Sequence, residues 1–273
     1  MSEQVNHSFP VPRNVPVYIG RQDFVIKYAA GKDVLHLGCV DEGMIEQKQE
    51  RGLWLHERLS QVAKSVWGID IDEKGIDRMR TQGYPDLYLA DLEDINSVPG
   101  IDQHEFDLIL LTEVLEHLNN PGKFLDNLKP IFKPGTEMLV TVPNATSLAN
   151  ILENLKGTES VHPDHNYWFS LHTLTALFNK FGYCVTWVGV YCQHNFRRSI
   201  TRHLWQRIMR MIGIKTVGKE KFTQPGENPH PENFKKPNPK TWLSATMITL
   251  SYRVLINKNP FFCRWIDDYC QAG

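Results

Sequence analysis

Five short apolar runs recur between residues 34 and 142, and each is closed by a residue of different character. Residues 34–37 end at Gly38, 65–69 at Asp70, 87–90 at Asp91, 106–111 at Thr112 and Glu113, and 137–142 at Pro143 and Asn144. Runs this short and this uniformly apolar read as strands buried on both faces, since a half-exposed strand would alternate polar with apolar positions. The segments between them, 53–63, 73–82 and 121–132, carry apolar residues at helical spacing. Strands alternating with helices predict an α/β fold, a mainly parallel sheet covered on both faces. Ligands of such sheets lie outside the carboxyl ends of the strands. The residues to question are therefore Gly38, Asp70, Asp91, Glu113 and Asn144.

Beyond Asn144 the pattern predicts a helix over 148–155, a loop holding His162 to Asn166, a helix capped by Ser170 and a strand over 183–191. Residues 200–212 place Ile200, Leu204, Trp205, Ile208 and Ile212 on one helical face. Core packing is the common outcome for such a helix; covering the acceptor and peripheral membrane contact are the alternatives. Residues 246–256 are rich in β-formers and read as a last, antiparallel strand, with a helix as the alternative, and 225–240 read as a linker. Three regions follow: an N-terminal extension (1–30), a core (31–195), and a C-terminal helical and loop elaboration (196–273) that includes the last strand and an acceptor cover.

The 30 Lys and Arg residues against 31 Asp and Glu leave no broad field for a phosphate backbone, so nucleic acid is not an expected partner. Five scattered cysteines without a CxxC pair fit free thiols in a reducing compartment. No apolar stretch reaches spanning length, and Pro10, Pro12 and Pro16 break the first residues, so the expected location is cytoplasmic. The oligomeric state is left open.

Gly38 ends its strand without a Cβ, which lets the backbone pass close to a ligand. Asp70 ends the next strand, where a carboxylate accepts hydrogen bonds from neighbouring ribose hydroxyls. Together the segments VLHLGCVDEG, EVLEHLNNP and LKPIFKPGTEMLVTVPN resemble the motifs of class I S-adenosylmethionine-dependent methyltransferases, in particular the ubiquinone-biosynthesis-type O-methyltransferase branch. The resemblance covers about residues 30–190. It implies a Rossmann-like, mainly parallel seven-stranded sheet with an antiparallel last strand. It also implies S-adenosylmethionine as cofactor, held by Gly38 and Cys39, Asp70 and Ile71, Asp91 and Leu92, and Thr112 and Glu113. His36 stands where the family carries an acidic residue and Val40 where it carries a second glycine, with Asp41 and Glu42 as substitutes for the missing carboxylate. A nicotinamide-dependent dehydrogenase also uses a glycine turn and an acid after its second strand, but the turn here lacks GxGxxG. Each strand-end carboxylate taken singly also reads as a solvated surface group.

Glu113, Glu116 and His117, at i, i+3 and i+4, would share one face of a helix following the fourth run. With His165 from across the cleft they form a candidate site for Mg²⁺ or another divalent cation. The set resembles that of cation-dependent small-RNA 2′-O-methyltransferases. The alternatives are that His117 hydrogen-bonds a neighbouring group, or that His117 and His165 serve as catalytic bases. His162 and His172 read as loop and helix-surface residues. The expected acceptor is a small molecule or glycan, foremost a hydroxyl on a sugar or other small metabolite; a quinone or phenol is second, and a non-catalytic binding module is the remaining class.

Overall fold

Strand β1 (Val17–Ile19) and helix α1 (Arg21–Ala29) precede the five runs, which become β2 (Asp33–Leu37), β3 (Ser65–Asp70), β4 (Leu87–Leu89), β5 (Leu108–Thr112) and β6 (Glu137–Pro143). Between them lie α2 (Ile45–Glu50), α3 (Leu55–Ser60), α4 (Glu73–Thr81) and α5 (Pro121–Leu128). Helices α6 (Leu148–Leu155) and α7 (Leu171–Lys180) and strands β7 (Cys184–Cys192) and β8 (Leu250–Asn257) follow. This computed structural model describes residues 17–19, 21–41, 44–192 and 250–257. The expected helix over 200–212, the linker over 225–240 and Trp205, Trp242, Phe261, Phe262 and Trp265 lie outside the described residues.

All strands join one sheet in the order β1-β7-β8-β6-β5-β2-β3-β4. Strands β2 to β6 pair in parallel, with Leu35 opposite both Trp67 and Ile109. The last strand, β8, runs antiparallel between β6 and β7, as expected of residues 246–256. The sheet has eight strands among the described residues where seven were expected; the addition is β1, paired in parallel with β7. Chain order reverses around β2, which has β3 on one side and β5 on the other. The crevice that ligands use in such sheets opens at the carboxyl edge there.

Alternation along the strands sorts the core into two layers. Leu35, Leu37, Ile69, Ile109, Leu111, Met138 and Val140 face the layer that holds Phe124, Leu125 and Leu128 of α5 and Leu174 and Phe178 of α7. Val34, Leu108, Leu110 and Leu139 face the other, which holds Leu55 and Leu59 of α3 and Phe24, Val25, Tyr28 and Ala29 of α1. Each buried Val, Leu, Ile, Phe or Met side chain among them contributes about 1.5–3 kcal/mol. Residues 21–29, placed in the extension on sequence grounds, thus pack on the sheet: Phe24 stacks on Trp187 at 5.3 Å and the Tyr28 hydroxyl donates to Glu137 Oε2 at 2.6 Å.

Several helix starts near the carboxyl edge are capped by side chains, though α2 is not. Asp72 accepts from Lys74 N at 3.1 Å before α4, and Asn120 accepts from Lys123 N at 2.9 Å before α5. Ser170 and Thr173 form a reciprocal capping box at α7, as the sequence suggested for Ser170. Satisfying these orphan N–H groups fixes where each helix begins, and hence where the strand-end loops must turn.

Candidate active site at the carboxyl edge

At the end of β2, Gly38 has φ +70°, and a Cβ there would lie 2.3 Å from Val114 Cγ2. Glycine is therefore required by the fold itself, for a left-handed backbone and for the close approach of Val114, before any ligand is considered. Val114 reaches that position because the chain turns sharply after β5. Glu113 adopts φ +58°, a conformation non-glycine residues rarely hold, while its N–H still donates to Thr141 O at 2.8 Å. Strain of this kind persists only where the surroundings enforce it, and it concentrates at functional sites.

The turn also corrects a sequence expectation. Glu113 lies outside any helix, Val114 is irregular (φ −131°, ψ −36°), and Leu115–His117 form a single 3-10 turn. Glu113, Glu116 and His117 therefore share no α-helical face. Glu116 is buried, and its carbonyl accepts from Asn166 N at 2.8 Å and Tyr167 N at 3.2 Å. His117 is half-buried and faces the loop that carries His162 and His165.

Asp70 closes β3 and ties two loops together. Oδ2 accepts from Val40 N at 2.8 Å and Oδ1 from Asp72 N at 3.0 Å. Burial pushes its carboxyl above the ordinary range, opposed by these backbone hydrogen bonds. A carboxylate offers about four lone-pair sites, so Asp70 keeps acceptor capacity after fixing the glycine loop and the start of α4. The N–H groups of Gly38 and Cys39 are both directed to Ile69 O, at 2.9 and 3.3 Å. The Cys39 side chain is buried in a separate cluster with Ile45, Trp54, Ile76, Met79 and Leu87. Gly38 and Cys39 thus shape the edge, and neither their N–H groups nor the Cys39 thiol is turned outward.

Beside Asp70, Ile71 exposes 69% of its surface. Asp91 is exposed at the next strand end, capping a 3-10 turn through Glu93 N at 2.8 Å, and Leu92 is buried behind it. Thr112 is buried and Glu113 half-buried at the end of β5. An uncovered aliphatic side chain between two strand-end carboxylates fits a nucleoside: an apolar surface for the base and acceptors for its hydroxyl and amino protons.

His36, standing where an acid was looked for, does not face this edge. It is buried against His56, Nδ1 to Nδ1 at 3.2 Å, with the rings stacked at 5.5 Å. Burial, reinforced by the neighbouring ring, drives His56 down to about 3. Of the two substitutes, Asp41 pairs with Lys48 and Glu42 lies outside the described residues.

The third group is a histidine cluster. The ring centroids of His117 and His165 lie 4.5 Å apart, and His162 joins them at 5.8 and 5.4 Å. Burial lowers both His117 and His165, with the neighbouring rings acting in the same sense. Sequence reading paired His117 with His165 but left His162 in the loop; no periodicity links residues so far apart. The signal lay in Asn166, whose amide donates to His117 O at 2.8 Å and Leu118 O at 3.3 Å, drawing the loop over the 3-10 turn.

A family model described as "Methyltransferase domain" matches residues 22–187. The ubiquinone biosynthesis O-methyltransferase of Thiobacillus denitrificans is 28% identical over 125 residues, 45% of this chain and 49% of that protein. The mitochondrial ubiquinone biosynthesis O-methyltransferase of Dictyostelium discoideum is 38% identical over 132 residues, 44% of this chain and 41% of that protein. A probable S-adenosylmethionine-dependent methyltransferase of Mycolicibacterium smegmatis is 26% identical over 157 residues, 56% of this chain and 52% of that protein. The chain spans about half the length of these curated relatives.

Proposed function

The chain belongs to the methyltransferase-domain family, and from that membership we propose that it is an S-adenosylmethionine-dependent O-methyltransferase acting on a hydroxyl of a small molecule. The observation that carries this reading is the edge itself: Asp70, Ile71 and Asp91 on adjoining strand ends, with Glu113 forced into a left-handed turn across the crevice. Bound at this edge, the cofactor supplies a methyl group activated by its positive sulfur. Asp70 and Asp91 accept from the nucleoside, Ile71 covers the base, and Thr112 and Glu113 close the pocket at the reacting end.

Methyl transfer is an in-line displacement, so alignment is the main task and loss of the acceptor's proton the second. With no metal at their nitrogens, His117 or His165 is the group that receives that proton. Held below their ordinary range by burial, both rings are neutral near pH 7 and each offers a lone pair.

Among acceptors, a phenolic or quinone-like ring is favoured over a sugar by one feature of the same edge. Helix α6 rises from the end of β6 with Ile151, Leu152 and Leu155 exposed, and Val161 and Tyr167 are exposed in the loop beside the histidines. An apolar wall suits a hydrophobic acceptor, and the ubiquinone-pathway names of the relatives agree with it. The test is S-adenosylhomocysteine release by the full chain with a panel of catechols, hydroquinones and free and nucleotide-linked sugars. Turnover on a catechol or hydroquinone is the expected result. Turnover on sugars alone would replace the acceptor reading, and cofactor binding with no turnover on any acceptor would favour a non-catalytic module.

A further inference from the structure

We propose that His117, His162 and His165 bind one transition-metal ion of the Zn²⁺ type. One nitrogen from each ring lies within 4.8 Å of the others, and this is the group of potential metal ligands that emerges among the described residues. Two imidazole nitrogens each about 2.1 Å from one tetrahedral ion are about 3.4 Å apart, so the rings draw together on binding, and the His162 side chain, 58% exposed, has room to turn.

The cluster is built by hydrogen bonds rather than by chance proximity of surface rings. His165 N donates to His162 O at 3.1 Å, forming a turn that sets both rings on one side. That turn is fastened to the segment carrying His117 by Asn166 N and Tyr167 N to Glu116 O, by the Asn166 amide to His117 O, and by the Tyr167 hydroxyl to Asn119 O at 2.9 Å. Asp164 N–H donates to His162 Nδ1 at 3.4 Å, which leaves Nε2 of that ring as the ligating nitrogen.

The donor set decides the metal. Three imidazole nitrogens with no carboxylate in the group suit Zn²⁺, Co²⁺, Ni²⁺ or Cu²⁺, whereas Mg²⁺ and Ca²⁺ require oxygen. This set shares His117 and His165 with the one expected from sequence for Mg²⁺ or another divalent cation, Glu113, Glu116, His117 and His165, and differs from it by including His162. Three protein ligands leave a fourth position for water or a substrate oxygen. A hydroxyl bound there would lose its proton more readily; this consequence rests on the transfer reading, while metal binding does not.

The test is calorimetric titration of chelator-stripped full-length protein with ZnSO₄ and separately with MgCl₂, accompanied by the visible spectrum of the Co²⁺ form. Expected are one Zn²⁺ per chain bound at least a hundredfold more tightly than Mg²⁺ and a four-coordinate Co²⁺ spectrum. His162→Ala and His165→Ala should each weaken Zn²⁺ at least tenfold. Both variants are to be verified as folded by circular dichroism and by S-adenosylhomocysteine binding, which keeps failure of the metal site distinct from failure of the cofactor site. No stoichiometric Zn²⁺, Mg²⁺ bound as tightly as Zn²⁺, or Zn²⁺ binding unchanged in folded His162→Ala and His165→Ala would overturn the proposal.

Discussion

The two sides of the crevice are built on different principles. On the side of β2, β3 and β5, the polar groups are pinned: Asp70 by two backbone N–H groups, Gly38 by Ile69 and Val114, and Glu113 by Thr141. On the side of α6 and the 156–169 loop, Ile151, Leu152, Leu155, Val161 and Tyr167 are exposed, and the loop is tied mainly to the turn at 116–119. Pinned groups suit a ligand held in one geometry, and the exposed apolar side suits the hydrophobic acceptor proposed above. Substitutions should therefore cost stability on the first side and change acceptor use on the second.

The largest expected effect is Gly38→Ala. It sets a Cβ 2.3 Å from Val114 in a left-handed backbone, and steric overlap together with the conformational penalty should remove roughly 2–5 kcal/mol of stability, read from denaturant unfolding. A loss below about 0.5 kcal/mol would mean that the edge yields, and the contrast between the sides would fail.

Acid should act next on the pinned side. The folded His56 ring titrates at about 3, below its ordinary 6.5, so protonation favours the unfolded chain. Its contribution is whole above pH 6.5 and is lost as pH falls, by about 1.4 kcal/mol per pH unit. Asp70, raised by burial, acts in the opposite sense within the carboxylate range, so the slope is best measured between about pH 6.5 and 5. Unfolding midpoints that stay level across that window would contradict the buried pair.

Glu113→Gly should separate structure from function. Glycine accepts φ +58° without strain, so stability should stay within about 1 kcal/mol of the parent. Methyl transfer should nevertheless fall more than tenfold, because the carboxylate at the reacting end is gone. The smallest stability effect is expected at Leu155→Ala, since Leu155 is 79% exposed: about 0.5 kcal/mol or less by thermal unfolding, with a rise in KM for an apolar acceptor as the functional readout.

Legibility in the sequence follows the same division. Strands β2, β3, β5 and β6 declared themselves because burial on both faces leaves mainly apolar runs, whereas the edge strand β4 is apolar but leaves Leu89 exposed. Ser170 announced α7 because a cap is a local hydrogen bond. Helix α1 was missed because Phe24, Val25, Tyr28 and Ala29 follow a proline-rich start that reads as an extension. The face argument for Glu113, Glu116 and His117 failed because spacing implies a shared face only on a helical backbone, and Glu113 is left-handed. His36 could not be placed from sequence, since its partner His56 comes from a different element. His162 was undervalued for the same reason: the contact that brings it to His117 runs through Asn166, not through any period.

The central claim is that the strand-end carboxylates hold a nucleoside-bearing cofactor. Titration calorimetry of S-adenosylhomocysteine into the full chain and into Asp70→Asn tests it most directly. One site on the parent, weakened at least tenfold in a variant that remains folded, is the expected result. No binding by the folded parent, or equal affinity in Asp70→Asn, would contradict the account.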